Sequence, residues 1–122
     1  MESLNQQKQI GAVDGSEKRQ FHRFGLDVRL RVMLRKAGSR MAFQGRGNNL
    51  SEGGLAAFIP TELVIGELIE LDLSLPYTAQ PLKLRAVVRN RRSFTYGLEF
   101  VDITPAQQSI IERTCRALEL VQ

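Results

Sequence analysis

The feature that most constrains the fold is a run of strict alternation from Leu26 to Lys36. Large aliphatic residues occupy every second position and mostly charged residues lie between them, so that Leu26, Val28, Leu30, Val32 and Leu34 alternate with Asp27, Arg29, Arg31, Met33 and Arg35. Successive side chains of a strand point to opposite faces, whereas a helix repeats its apolar positions every three or four residues. The run therefore predicts a strand with one face on a core and the other in solvent.

Five further runs have the length and composition of strands. They span residues 40–50, 54–59, 67–75, 82–92 and 95–101, and turn-forming residues separate them. The first of these contains Gly45, Gly47 and Asn48, which favour a bulge. Six such runs followed by one helix predict a mainly β fold, a small antiparallel barrel, although neither composition nor spacing fixes its topology.

The sequence after the last strand predicts a helix over about residues 104–120. Thr104 has the properties of an N-cap, Pro105 suits the first helical position, and Gln107 completes a capping box. Apolar positions at a spacing of three to four residues form a stripe that can pack on the barrel. The stripe consists of Ile111, Cys115 and Leu118, with Ile110, Thr114 and either Leu120 or Val121 on its flank. We expect this helix to close one end of the barrel.

Length and composition indicate one domain. The chain has 122 residues, 43% of them apolar, and its longest apolar run, Leu55 to Pro60, is six residues, too short to cross a bilayer. Met1 to Gly15 has no hydrophobic segment of the kind used in secretion, so we expect a cytoplasmic protein without membrane contact. The single cysteine, Cys115, excludes an internal disulfide and a multi-cysteine metal cluster.

The N-terminal residues differ from the remainder of the chain. Residues 1–17 contain few large aliphatics and two interrupting glycines, which predicts a flexible tail. Residues 18–122 then form the barrel domain with its helix. Phe21 and Phe24, at the junction, are expected to anchor the chain on the barrel.

The charge of the chain is carried mainly by arginine. The net charge is +4, with thirteen Arg and four Lys. A guanidinium can donate two parallel hydrogen bonds to a phosphate or to the O6/N7 edge of guanine, and it stacks on flat rings, whereas an ammonium acts mainly as a point charge. Most of these arginines are nevertheless expected to be surface residues that keep the protein soluble.

Two short motifs stand on either side of the first predicted strand. Arg19 and Arg23 form an Arg-x-x-x-Arg pair, but chance supplies roughly one such pair at this composition, and Arg31/Arg35 and Arg85/Arg89 share the spacing on predicted strand surfaces. The pattern from Asn49 through Ser51 to Gly54 is rarer, because composition predicts only about 0.04 occurrences of Asn/Asp-x-Ser-x-x-Gly. The information lies in the combination of the two motifs and in their order.

With these motifs the chain resembles the PilZ-domain family of bacterial cyclic di-GMP receptors. The resemblance extends from Lys18 to about Ala117, and the Gly-x-x-Phe pattern of the last strand, Gly97 to Phe100, is also similar to the family. It implies a six-stranded barrel followed by a helix. It also implies that the arginines contact phosphate and guanine while the Asn-x-Ser-x-x-Gly turn holds the other guanine. The family more often has Asp at the first position, so Asn49 replaces an anionic acceptor with a neutral one.

The ligand site predicted on this basis contains seven residues: Lys18, Arg19, Arg23, Asn49, Ser51, Gly53 and Gly54. The arginines supply forked donors, Asn49 can donate and accept, and Ser51 adds a hydroxyl. The two glycines are expected to adopt positive φ or to let the ligand approach the backbone. Lys18 makes a cluster of three cations that would suit two stacked cyclic di-GMP molecules per protomer.

The sequence predicts a receptor rather than an enzyme. His22 has no second His, Cys or carboxylate cluster beside it, and we find no nucleophile elbow, zinc motif or phosphate-binding loop. No cofactor is expected, and the partners expected are cyclic di-GMP and a protein effector, with the protein a monomer or a ligand-dependent dimer. We further expect ligand binding to order the segment Glu17 to Phe24.

Two alternatives remain on the sequence alone. One is a barrel of the same fold that acts as a ligand-independent protein-interaction module, which the intact motif pair disfavours. The other is a basic barrel that binds single-stranded nucleic acid. Against the latter, the chain has only eight aromatic residues, and most occupy core-facing positions where they cannot stack on bases. The downstream output of the receptor cannot be deduced from these residues.

Overall fold

The computed structural model describes residues 22–122, which form six strands and one helix. The elements are β1 Phe24–Lys36, β2 Ser39–Leu50, β3 Gly54–Phe58, β4 Leu68–Leu73, β5 Leu82–Arg92, β6 Thr95–Val101 and α1 Pro105–Val121. The predictions for the tail and for Lys18, Arg19 and Phe21 lie outside the described residues. In the described part all six predicted strands are present, and β5 and β6 have the predicted bounds.

The strands form a closed antiparallel barrel in the order β1-β2-β3-β6-β5-β4, with β4 next to β1. The predicted fold class, a six-stranded antiparallel barrel with a C-terminal helix, is confirmed. The β1–β2 pairing is the longest, from Phe24 opposite Leu50 to Lys36 opposite Ser39. The β1–β4 pairing is short, from Leu30 opposite Leu73 to Met33 opposite Glu70. The first residues of β1 therefore extend past the end of β4.

The interior of the barrel is built by the alternation read from the sequence. Leu30, Val32 and Leu34 of β1 are buried, and the arginines that alternate with this set, Arg29, Arg31 and Arg35, are exposed. Arg31 and Arg35 thus lie on the outer face of a strand, as predicted. The bulge expected in β2 is also present, because the pairing with β3 shifts between Gly47 and Asn49. This shift returns Leu50 to the interior while leaving Asn49 on the outer wall.

The helix begins with the predicted capping box. The Thr104 hydroxyl accepts a hydrogen bond from the Gln107 amide, and the Gln107 side chain accepts one from the Thr104 amide. The buried side chains of the helix are Ile111, Thr114, Cys115 and Leu118. The expectation that Leu120 or Val121 flanks the buried stripe is wrong, since both are exposed. The stripe ends at Leu118, and the Gln122 side chain after it bonds to the backbone of Gly25 instead.

The barrel has two ends with different contents. At the motif end, β1 begins, the turn after Leu50 leads into β3, and β6 leads into α1. At the distal end lie the turn between β1 and β2, the loop of residues 59–67 between β3 and β4, and the turn between β5 and β6. The helix packs at the motif end, where Gln107 donates to the carbonyl of Lys83 at the start of β5. Across residues 22–122, no helix is long and apolar enough to cross a bilayer.

Candidate functional site

The Ser51 hydroxyl organises the turn that carries the rarer motif. Its Oγ accepts hydrogen bonds from the amides of Gly53 at 3.3 Å and Gly54 at 3.1 Å, and it lies 3.3 Å from the carbonyl oxygen of Gly54. The Ser51 amide donates to the same carbonyl at 2.9 Å. A serine side chain that bonds the backbone two and three residues later is a common means of fixing a turn. The serine of the motif therefore has a structural function in the turn.

Gly54 is required by a close approach between strands. A Cβ atom at this position would lie 2.2 Å from the carbonyl oxygen of Leu98, because Gly54 pairs with Glu99 on β6. Among the described glycines, positive φ angles occur at Gly38 and Gly66, not at Gly53 or Gly54. The expected positive φ is thus absent. The Gly53 carbonyl accepts from the Phe100 amide at 3.0 Å, which joins the turn to β6.

Asn49 lies on the outer wall beside the turn, half-buried and in line with several small residues. It is opposite Gly25 of β1 on one side and Ala56 of β3 on the other, and Ala56 is opposite Gly97 of β6. Gly97 pairs in turn with Asn90 of β5. These five residues, Gly25, Asn49, Ala56, Gly97 and Asn90, are called the small-residue strip below. Three of the five have at most a methyl group as a side chain, so little projects from the outer surface of the barrel at these three positions.

Asn90 completes the strip with a second amide. A Cβ atom at Gly97 would lie 2.5 Å from Oδ1 and 2.6 Å from Nδ2 of Asn90, so the amide group of Asn90 covers Gly97 directly. The strip thus has amides at Asn49 and at Asn90. Sequence reasoning missed it, because Gly97 was used only as evidence for a strand and Asn90 was not singled out. The signal appears only once the register across four strand pairs is known.

Arg23 lies at the same end of the barrel as the motif turn. It is exposed and directly precedes β1, two residues before Gly25, whose partner across the β1–β2 pair is Asn49. The structure therefore brings Arg23, Asn49 and the Ser51–Gly54 turn to one end, while Lys18 and Arg19 lie outside the described residues. His22 is exposed.

Charged groups surround the site. Arg46 of β2 is paired with Asp27 at 2.8 Å, and Arg89 of β5 is paired with Glu99 of β6. These ion pairs flank the small-residue strip on its two long sides, since Arg46 precedes Asn49 on β2 and Glu99 follows Gly97 on β6. Both arginines are about half exposed, so their pairing is weak and can be exchanged for a ligand phosphate at small cost.

The thiol of Cys115 is buried on the face of the helix that packs on the barrel. Burial, together with the negative charges of Glu52 and Glu112, raises the pKa of Cys115 to about 11. The thiol is therefore neutral at physiological pH, which makes it a packing group rather than a nucleophile. In residues 22–122, no three His, Cys, Asp or Glu side chains cluster closely enough to hold a metal ion.

Comparison with known proteins identifies the family. The PilZ domain family matches residues 17–117 of the chain. A comparison of the sequence with curated proteins finds no match.

Solved structures share the fold. The inhibitor of motility MotI (DgrA) of Bacillus subtilis superposes with a TM-score of 0.66 at 21% identity, over 85% of this chain and 52% of that one. The PilZ domain of YcgR from Escherichia coli, solved with cyclic di-GMP, gives 0.65 at 15% identity, over 84% and 92%. The PilZ domain of CeSA from a cellulose-synthesising bacterium gives 0.62 at 21% identity, over 80% and 98%. The chain thus spans about half the length of the MotI chain. From the family match, which covers most of its length, the chain belongs to the PilZ domain family.

Proposed function

We propose that the protein is a cyclic di-GMP receptor whose ligand binds at the motif end of the barrel. The observation that carries the proposal is the convergence of Arg23, Asn49 and the Ser51–Gly54 turn at one end of the barrel in a chain of this family. The YcgR PilZ domain, which shares the fold, was solved with cyclic di-GMP.

The chemistry of the ligand fits the groups at this end. Cyclic di-GMP has two phosphodiester charges and two guanines. Arg19 and Arg23 supply forked donors for the phosphates and the O6/N7 edge of guanine, and their planar groups can stack on a base. Asn49 supplies a donor and an acceptor for the Watson–Crick edge. Its neutral amide favours a base edge over a cation.

The small-residue strip supplies what the motifs lack, a flat surface for a ring. A guanine laid over Ala56 would meet only a methyl group there, with the Asn49 amide on one side and the Asn90 amide, which covers Gly97, on the other. Ser51 and Gly54 then act mainly by holding the turn in position. Gly53 contributes its backbone, and Lys18 adds charge for the phosphates.

Ligand binding is proposed to act on the segment Glu17 to Phe24. Arg19 and Arg23 are proposed to place their like charges against the ligand phosphates, which would neutralise them. We propose that the ligand draws the part of this segment that precedes β1 over itself and that a protein effector reads the resulting change. Fixing each residue costs roughly 1–2 kcal/mol, which the phosphate and guanine contacts must offset. Hydrogen exchange tests this step: amides of residues 17–24 protected equally with and without ligand would place the switch elsewhere.

The domain that binds the ligand is proposed to be residues 18–122, acting in the cytoplasm without a catalytic step or a cofactor. The three cations at Lys18, Arg19 and Arg23 favour two ligands per protomer, bound as a stacked pair with four phosphate charges. Calorimetric stoichiometry on protein of verified concentration decides this, since a value of one excludes the pair.

Isothermal titration calorimetry tests the receptor function itself. Cyclic di-GMP is expected to bind with micromolar or better affinity, and GTP, GMP and oligonucleotides far more weakly. Folded protein that does not bind cyclic di-GMP would overturn the proposal and favour the ligand-independent interaction module. Preferential binding of oligonucleotides would favour the nucleic-acid barrel.

A further inference from the structure

The distal end of the barrel presents three large aliphatic side chains to solvent. Val64 is 65% exposed, Ile65 55% and Leu68 45%. Single exposed aliphatics are normal on protein surfaces, but three within five residues at one rim form a patch. The three residues are called the rim surface below.

The loop that carries the rim surface is firmly held. The Tyr96 hydroxyl, buried in the barrel, accepts from the Leu63 amide at 2.9 Å and donates to the Thr61 carbonyl at 2.8 Å. The Glu67 side chain accepts from the Val64 amide at 3.0 Å. Because Leu63 fills the interior directly before them, Val64 and Ile65 cannot turn inward.

The turn after Ile65 is fixed to β5. The Gly66 amide donates to the Val88 carbonyl at 2.7 Å, and the Val88 amide donates to the Glu67 carbonyl at 3.0 Å. Gly66 has a φ of 93°, a conformation that a residue with a side chain rarely adopts. The exposed aliphatics are thus presented by a defined backbone, which favours recognition by a preformed partner.

A groove with a positive balance of charge continues from the rim surface along the outer wall. It has a volume of about 360 Å³ and is lined by Leu68 and by Met33, Leu34, Arg35, Arg40, Glu70 and Arg85. Within it Arg40 lies 3.7 Å from Glu70, and Arg85 donates to Asp102 at 2.9 Å, so the excess positive charge of the groove is that of Arg35. Glu62 of the loop meets two cations from neighbouring strands. Its carbonyl accepts from Lys36, and its carboxylate lies 4.0 Å from Arg91.

We propose that the rim surface and the adjoining groove dock a protein partner through a segment that combines aliphatic residues with Asp or Glu. The aliphatic residues would cover Val64, Ile65 and Leu68, and the carboxylates would meet the groove arginines. This inference concerns the end of the barrel opposite the motif turn and does not rest on cyclic di-GMP binding.

Charge and shape distinguish this occupant from two others. A second copy of the chain would place one positive groove against another, which like-charge repulsion opposes. A membrane is distinguished by shape, since a flat surface could cover the rim aliphatics but could not follow the groove along the outer wall. An acidic and apolar protein segment satisfies both the exposed aliphatics and the arginines.

Site-specific photo-cross-linking, carried out in the organism whose genome encodes this protein, identifies the partner bound at the rim surface. The full-length protein carries p-benzoylphenylalanine in place of Ile65, and the control carries it in place of Tyr77, which is 70% exposed in the loop between β4 and β5 at the motif end. Mass spectrometry then locates the cross-linked peptide. We expect a protein adduct at position 65, absent at position 77, in a segment that contains both aliphatic and acidic residues.

The purified partner provides the second measurement. Ile65→Ser and Leu68→Ser should each weaken its binding at least tenfold while leaving the melting temperature unchanged, and added salt should weaken it further. The proposal is overturned by adducts confined to lipid or to a second copy, by no adduct above the Tyr77 control, or by a cross-linked segment without carboxylates. Unchanged affinity in the two serine variants also overturns it.

Discussion

The two ends of the barrel are built by opposite means. At the motif end, a serine hydroxyl and a glycine bring backbone segments close together, and the wall beside them is low because its residues are small. At the distal end, one large buried side chain, Tyr96, holds a loop outward, and that loop carries exposed aliphatics. A flat polar surface suits a planar ligand with many hydrogen-bonding groups, whereas protruding aliphatics suit a protein interface. One closed barrel can therefore serve two kinds of partner at separate places.

The largest effect is expected from Gly54→Ala, which would break the motif end. Its Cβ would lie 2.2 Å from the Leu98 carbonyl oxygen, so β3 and β6 must separate. We expect a loss of about 3 kcal/mol in the free energy of unfolding, at the upper end for overpacking. Denaturant unfolding measures it.

Gly25→Ala is the matched control for that substitution. The nearest atom to a Cβ at this position is Asn49 Oδ1 at 3.9 Å, an ordinary contact. Stability should change little, while ligand affinity falls because the methyl group would stand on the small-residue strip. Equal destabilisation by both substitutions would contradict the distinction between a packing glycine and a surface glycine.

Removal of the motif arginines should weaken ligand binding without weakening the fold. Arg19→Ala and Arg23→Ala are each expected to cost about 1.5–3 kcal/mol of binding free energy, the scale of a hydrogen bond to a charged group. Arg31→Ala is the control, since Arg31 lies on the outer face of β1 opposite Gln44 and Asp72. Calorimetry compares the three variants, and equal losses in all of them would indicate a diffuse electrostatic surface instead of a site.

Tyr96→Phe should loosen the distal end and spare the motif end. It removes the hydroxyl that is hydrogen-bonded to the Leu63 amide and to the Thr61 carbonyl. The Leu63 amide is then left buried without a hydrogen-bond acceptor. We expect a loss of about 1–2 kcal/mol in stability and faster hydrogen exchange in residues 61–67, with unchanged affinity for cyclic di-GMP. A large drop in ligand affinity would show that the two ends are coupled through β6.

The last effect concerns Cys115 and pH. The folded thiol has a pKa of about 11, above its usual value of 9.0. Between these values the unfolded chain has released the proton and the folded chain has kept it, so stability falls as the pH rises from about 9 to about 11. Cys115→Ala should lose this component, and the difference between the two proteins across that window measures it. A constant difference over this range would contradict the pKa.

The sequence predicted most of the fold because strand alternation and helix caps are local signals. Leu26 to Lys36 alternates over the length of a strand, and Thr104 and Gln107 cap a helix within four residues. The small-residue strip was not predictable in this way. Ala56 and Gly97 become neighbours only through the pairing of β3 with β6, which joins strands that are not consecutive in sequence.

The structural roles of individual motif residues could not be predicted from the sequence either. Gly54 was expected to serve the ligand or to adopt a positive φ, and its neighbour Leu98 was invisible before the strands were paired. Likewise, Ser51 was read as a ligand donor although its hydroxyl is engaged by the turn. A short motif identifies which residues matter, but it does not separate those that contact a ligand from those that hold the contacting residues in place.

The short pairing between β1 and β4 has a consequence for the solubility of the protein. A strand with an unpaired side can recruit strands of other molecules, and proteins prevent this by closing the sheet or covering the edge. Among residues 22–122, β1 extends past β4 at Gly25, where the Gln122 side chain both donates to and accepts from the backbone as a neighbouring strand would. A single amide at the end of the helix thus takes the place of a missing strand and keeps this edge from serving as a template for aggregation.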